Sequence, residues 1–148
     1  PLRIQEAALM GEYRHKLSLG IKHPSADLSS LPKHLGMPVH NLQKAGELRR
    51  TPKGRLLNTI ARESSCGIEF ETLGDLPKSL EAAVASLLPH KPYLNSLSDS
   101  GATFRFFIGW FSESWNTGER LNWNLLRDIA NLRISLDFDV YGPGENGS

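Results

Sequence analysis

The chain has 148 residues, which suits a single domain with a sizeable core. Its 17 basic and 16 acidic residues give a net charge of +1, so no global field draws it to nucleic acid or an anionic membrane. The lone cysteine, Cys66, cannot form an internal disulfide, which points to a reducing compartment, and no apolar run reaches transmembrane length.

Residues 1–14 read as an N-terminal extension in which Ile4, Ala7, Ala8 and Met10 can line a short helix. Leu17, Leu19 and Ile21 alternate with Ser18, Gly20 and Lys22, the period of a half-buried strand, and His23-Pro24 ends it. Ser25 or Asp27 can cap a helix carrying Leu28, Leu31 and Leu35. Pro32 confines that helix to a short, late piece, and Gly36 stops it. Residues 40–58 are rich in Lys, Arg, Gly and Pro and read as a long surface connection.

A second strand runs from Cys66 to Glu71 with Cys66, Ile68 and Phe70 inward, and it can start earlier, near Asn58, with Ile60 inward. Asp75 caps a helix with Pro77 in its first turn and a stripe of Leu76, Leu80, Ala83, Val84, Leu87 and Leu88. Pro89 and Pro92 interrupt it before a further turn through Tyr93, Leu94 and Leu97. The third strand, Thr103–Phe111, turns Phe104, Phe106, Ile108 and Trp110 to one face. Asn122 caps a helix with Leu125, Leu126, Ile129 and Leu132 buried, and Leu121 can staple onto Leu126. In the last strand Ile134, Leu136, Phe138 and Val140 point inward and Ser135, Asp137, Asp139 and Tyr141 outward. Residues 143–148 read as a flexible tail.

The expected architecture is an α+β two-layer sandwich over residues 15–142. A mainly antiparallel four-stranded sheet in the order β-α-β-α-β-α-β carries its helices on one face. The other face is left to water or a partner.

Leu35-Gly36-Met37-Pro38, Lys44-Ala45-Gly46-Glu47, Arg50-Thr51-Pro52-Lys53-Gly54, Phe106-Phe107-Ile108-Gly109-Trp110-Phe111 and Leu136-Asp137-Phe138-Asp139-Val140-Tyr141-Gly142 follow one another in an order and spacing that resemble the bacterial domain-of-unknown-function family DUF4279. The likeness covers about residues 15–142 and implies an α+β fold and a bacterial source, with no assigned reaction. It also leads one to expect a Ser-Tyr-Trp-Ser-like strand near Ser65, where this chain has Ser64-Ser65-Cys66-Gly67.

Candidate chemistry is sparse. Cys66 reads as inward packing rather than a nucleophile. His15, His23, His34, His40 and His90 form no His-x-x-x-His pair, so no metal site is expected. No catalytic residue and no cofactor is assigned, and the chain reads as non-enzymatic. Asp137 and Asp139 share a strand face, where Arg105 or Lys22 can serve as cross-strand partner. That face, with Arg105, Asp137, Asp139 and Tyr141, is the alternative site, for a small ligand or a reaction. The basic stretch Lys44, Arg49, Arg50, Lys53 and Arg55 lacks the ending of a phosphate-binding loop and the aromatics of a single-strand nucleic-acid binder. It is either a solvated loop or a contact for an acidic protein surface. Trp115 sits in a polar turn as an interface anchor, while Trp123 either does the same or packs onto the sheet. The leading expectation is a cytoplasmic bacterial protein of immunity or inhibitor type. It would hold a protein partner, such as a toxin, through the basic stretch and Trp115. Neither membrane nor nucleic acid is expected as a partner, and a second copy can pair along an exposed sheet edge.

Overall fold

The computed structural model describes residues 12–144. The expected helix around Ile4–Met10 and the tail residues 145–148 lie outside that range. The chain runs through β1 (Tyr13–His23), α1 (Leu31–Leu35), β2 (His40–Gln43), β3 (Leu48–Arg50), β4 (Leu56–Ile60) and β5 (Ser64–Phe70). It continues with α2 (Leu76–Leu87), a 3-10 turn (Leu88–His90), α3 (Lys91–Asp99), β6 (Thr103–Ser112), α4 (Trp123–Asn131) and β7 (Ile134–Tyr141). Five strands form one sheet in the order β2-β5-β1-β6-β7, and β3 and β4 form a separate two-stranded ribbon.

The α+β class holds, but the sheet is five-stranded and mixed rather than four-stranded and antiparallel. β1 pairs antiparallel with β5 and β6, whereas β7 lies parallel to β6 because α4 carries the chain back to the end where β6 began. The stretch read as a long connection contains β2, β3 and β4. Thr51-Pro52-Lys53-Gly54 makes the ribbon's turn, with the Gly54 amide donating to the Thr51 carbonyl at 2.8 Å and Gly54 at φ 89°. That left-handed residue is what a turn followed by a bulge requires. Ile60, expected inward on an early start of β5, is instead exposed on β4.

The inner face follows the period-two alternation. Leu17, Leu19 and Ile21 on β1, Ile68 on β5, and Phe104, Phe106 and Ile108 on β6 are buried. α2 meets them with Leu76, Leu80, Ala83, Val84 and Leu87, α3 with Leu94, and α4 with Leu125 and Ile129. The Asp75 carboxylate caps α2 by accepting from the Lys78 amide at 3.0 Å. Pro32 does lie in the first turn of the short α1, preceded by Ser30, and Gly36 closes it at φ 66°. At the α4 end the expectation fails: Leu126, Phe138 and Val140, all read as inward, are exposed. β7 is an edge strand, and the buried row reaches only to Ile134 and the half-buried Leu136.

Two polar ties fasten the layers. The buried His15 Nε2 lies 2.8 Å from Ser79 Oγ, joining β1 to α2. The Tyr13 ring stacks on Trp110 at 3.8 Å, while its hydroxyl accepts from the Leu76 amide and donates to Glu119 at 2.7 Å. Burial and the nearby Glu119 carboxylate raise the Tyr13 pKa well above the phenol range.

Candidate ligand-binding face

Among the described residues no helix lies over the outer sheet face. Its rows follow from the strand register. Glu69, Ser18, Phe107 and Asp137 stand side by side across β5, β1, β6 and β7. Below them come Gly67, Gly20, Arg105 and Ser135, and above them Lys16, Gly109 and Asp139, then Arg14, Phe111 and Tyr141. Three of these outward positions are glycine. Strand glycines leave room for something to approach the backbone. Two are filled from within: the His40 ring lies on Gly67, and the Phe111 ring leans over Gly109, 3.2 Å from where a Cβ would stand.

The face carries three adjoining hollows of about 420, 260 and 220 Å³. The largest lies among Lys16, Ser18, Glu69, Phe107, Phe111, Asp139 and Tyr141. The second shares Ser18 and Phe107 with it and reaches Lys22, His40 and Arg105. The third shares Gly20, Lys22 and Arg105 with the second and reaches Asp137. Phe107, 43% exposed, is thus a ridge between two hollows.

All four residues of the sheet-face reading come together here. The Arg105 guanidinium donates to Asp137 Oδ2 at 3.2 Å, the cross-strand pair anticipated from the sequence. The Tyr141 hydroxyl donates to Asp139 at 2.7 Å, and its ring stacks on Phe111 at 5.1 Å. The cations of Arg14 and Lys16 stand 5.6 and 5.9 Å from the Phe111 centroid. Arg14 also pairs with Glu113 at 3.2 Å, whereas Lys16 has no ion pair among the described residues. Sequence reasoning passed over Lys16, Phe107 and Phe111. The signal was present in the alternation, which turns two phenylalanines outward with a glycine between them.

The basic stretch becomes the β3–β4 ribbon. Arg49, Arg50, Lys53 and Arg55 are all exposed on it, beside exposed Leu48, Leu56 and Ile60. The ribbon is tied to β2 by Gln43, whose side-chain amide donates to the Arg50 carbonyl at 2.8 Å and accepts from the Arg50 amide at 3.1 Å. Lys44 lies just before it, near Asp27 at 3.9 Å and Glu47 at 4.0 Å. Trp115 is 89% exposed on the loop after β6. Trp110 Nε1, Ser112 and Thr117 pin that loop through mutual hydrogen bonds of 2.8–3.1 Å. The ribbon leaves the sheet where His23 pairs with Ser64, and the Trp115 loop leaves where Tyr13 pairs with Ser112. The length of β1, roughly 33 Å, separates them. Trp123 is exposed too, with the Arg127 guanidinium 5.3 Å from its ring, so it does not pack onto the sheet.

Cys66 is buried, and burial pushes its thiol up to about 11. A thiol held protonated is a poor nucleophile. Among the described residues no group of three His, Cys, Asp or Glu side chains gathers to hold a metal ion. His23 accepts the Ser25 and Ala26 amides on Nδ1, and His34 stacks on Tyr93. No helix among the described residues is long and apolar enough to cross a membrane.

These features define a class: an α+β sandwich, with helices on one side of a mixed sheet and, among the described residues, a hollowed, aromatic face without a covering layer on the other. The chain belongs to the DUF4279 family, a domain of unknown function, whose match covers residues 12–143. Neither the curated proteins nor the solved structures provide a match to it.

Proposed function

We propose that this domain is a non-enzymatic binding protein of immunity or inhibitor type whose protein partner docks on the β3–β4 ribbon. The observation that carries the reading is the ribbon's surface. Leu48, Leu56 and Ile60, the last 60% exposed, stand in solvent among Arg49, Arg50, Lys53 and Arg55. Exposed apolar side chains on a thin projecting element are costly to a free protein and useful to a bound one. The arginines select an acidic partner surface and speed the encounter, and the leucines and isoleucine hold it. Trp115 joins the contact for a partner long enough to span β1. The non-enzymatic part is supported by the protonated, buried Cys66 and by the closed Arg105–Asp137 pair. The reading takes the protein as bacterial and cytoplasmic, in keeping with a cysteine that has no second thiol to pair with.

The test uses three immobilised forms in lysate of the native cell: wild type, Arg49→Glu with Arg50→Glu, and Leu48→Ser with Ile60→Ser. The expected result is one stoichiometric protein held by the wild type and lost from both variants. If the same proteins stay on all three folded forms, the ribbon is not the contact and the proposal fails.

A further inference from the structure

The geometry points to the largest hollow of the outer face as a binding site for a small planar monocarboxylate, a carboxylic acid carried on an aromatic or similarly flat ring. This site is independent of the ribbon. At about 420 Å³ it lies at the small end of ligand pockets, a size for one or two rings. Flat, partly solvent-facing rings line it: Phe107 as the central ridge, and Phe111 stacked on Tyr141 at the end wall. Such rings favour a flat apolar body by stacking.

The charges decide which ring compound. Lys16 stands opposite Gly109 on the neighbouring strand, without an ion-pair partner among the described residues, its ammonium 5.9 Å from the Phe111 centroid. It is the cation on that wall available to a carboxylate, since Arg14 is paired with Glu113. A cationic ligand is disfavoured for the same reason: Lys16 and Arg14 already occupy the attractive face of Phe111. A doubly charged anion is disfavoured by the opposite wall, where Asp139 faces the hollow; Glu69 lines it from β5, on the Lys16 side, and lies 4.0 Å from His40. Lys16 and Asp139 flank Gly109 from either side, roughly 10 Å apart at the backbone, so a ring on Phe107 presents one end to each. One negative charge therefore fits at the Lys16 end and none at the Asp139 end.

The test titrates benzoate, terephthalate and benzylammonium into the whole chain and follows backbone amide resonances. Benzoate is expected to shift the amides of Lys16, Ser18, Phe107 and Gly109, terephthalate to bind more weakly, and benzylammonium to leave them unmoved. Lys16→Gln is expected to weaken benzoate about tenfold or more, and Lys16→Arg to retain most of the affinity. Phe107→Ser is expected to weaken it as well. Both side chains are exposed, so the variants keep the fold, which the rest of the amide spectrum reports. Equal binding of benzylammonium, an unchanged affinity in Lys16→Gln, or no shift on these strands with any probe would each overturn the assignment.

Discussion

Replacing Ser79 with alanine tests the tie between β1 and α2 most directly. Ser79 Oγ lies 2.8 Å from His15 Nε2, accepts from the Leu73 amide at 2.9 Å and donates to the Leu73 carbonyl at 3.3 Å. One arrangement satisfies every group: His15 Nε2–H donates to Ser79 Oγ, whose own hydrogen goes to Leu73. His15 is only 6% exposed, so the truncation strands its ring nitrogen away from water. A buried polar group left without a partner costs about 1–3 kcal/mol, and the Leu73 bond adds about 1 more. The expected loss is therefore about 2–4 kcal/mol. It should appear as a lower urea midpoint at unchanged slope, and as a fall in melting temperature of roughly 2–4 °C for each kcal/mol. His15→Leu alone should also destabilise, but the double variant should cost less than the two single losses together, by about 1–2 kcal/mol, because neither half of the His15–Ser79 bond is then left without the other. A Ser79→Ala protein within about 0.5 kcal/mol of wild type, or strict additivity of the two changes, would refute the reasoning.

Two further outcomes follow from buried titratable groups. Burial lowers the pKa of His15 below its ordinary 6.5, so the unfolded chain binds that proton first as pH falls. Its contribution is intact above about pH 6.5 and shrinks below it; urea midpoints taken stepwise from neutral pH downwards should decline, and His15→Leu should flatten the decline. The Cys66 thiol moves the other way, from 9.0 to about 11, so its contribution is whole below pH 9 and is lost as pH rises toward 11. A thiol reagent at neutral pH should label Cys66 only as fast as denaturant opens the fold. Prompt labelling of the native protein would show the thiol to be accessible.

The central strands were legible because their constraint is local. β1 and β6 each have a buried face, so the alternation of Leu17, Leu19 and Ile21 and of Phe104, Phe106 and Ile108 maps directly onto the sheet. α2 announced itself through Asp75 and Pro77. What was lost depends on neighbours. β7 alternates as cleanly as β6, yet an edge position leaves Phe138 and Val140 uncovered, and no local pattern reports an edge. The parallel pairing was in view as strand, helix, strand over Thr103–Tyr141, since a helical crossover returns the chain to its starting end. The ribbon was hidden by reading Pro52 and Gly54 as breakers, when a Gly-bearing turn between short apolar runs is itself a hairpin signal. The four sheet-face residues were placed together by alternation alone. The hollow beside them was not, because it arises from Gly109 lying between Lys16 and Asp139 on separate strands, a matter of register.

The two margins of the sheet are built differently. β7 offers eight residues of regular strand with one hydrogen-bonded side. β2 has four residues, a register break between His40 and Gln43, and Asn41 at φ 53°, with the ribbon behind it. Fibres grow from sheets when each added copy exposes the same adhesive margin it has just covered. This domain is monofunctional in the polymer chemist's sense. A strand added to β7 would terminate the chain instead of propagating it, because the far margin, β2, is short and broken in register. Association through the sheet would then stop at a pair, with the irregularity at Asn41 setting that ceiling.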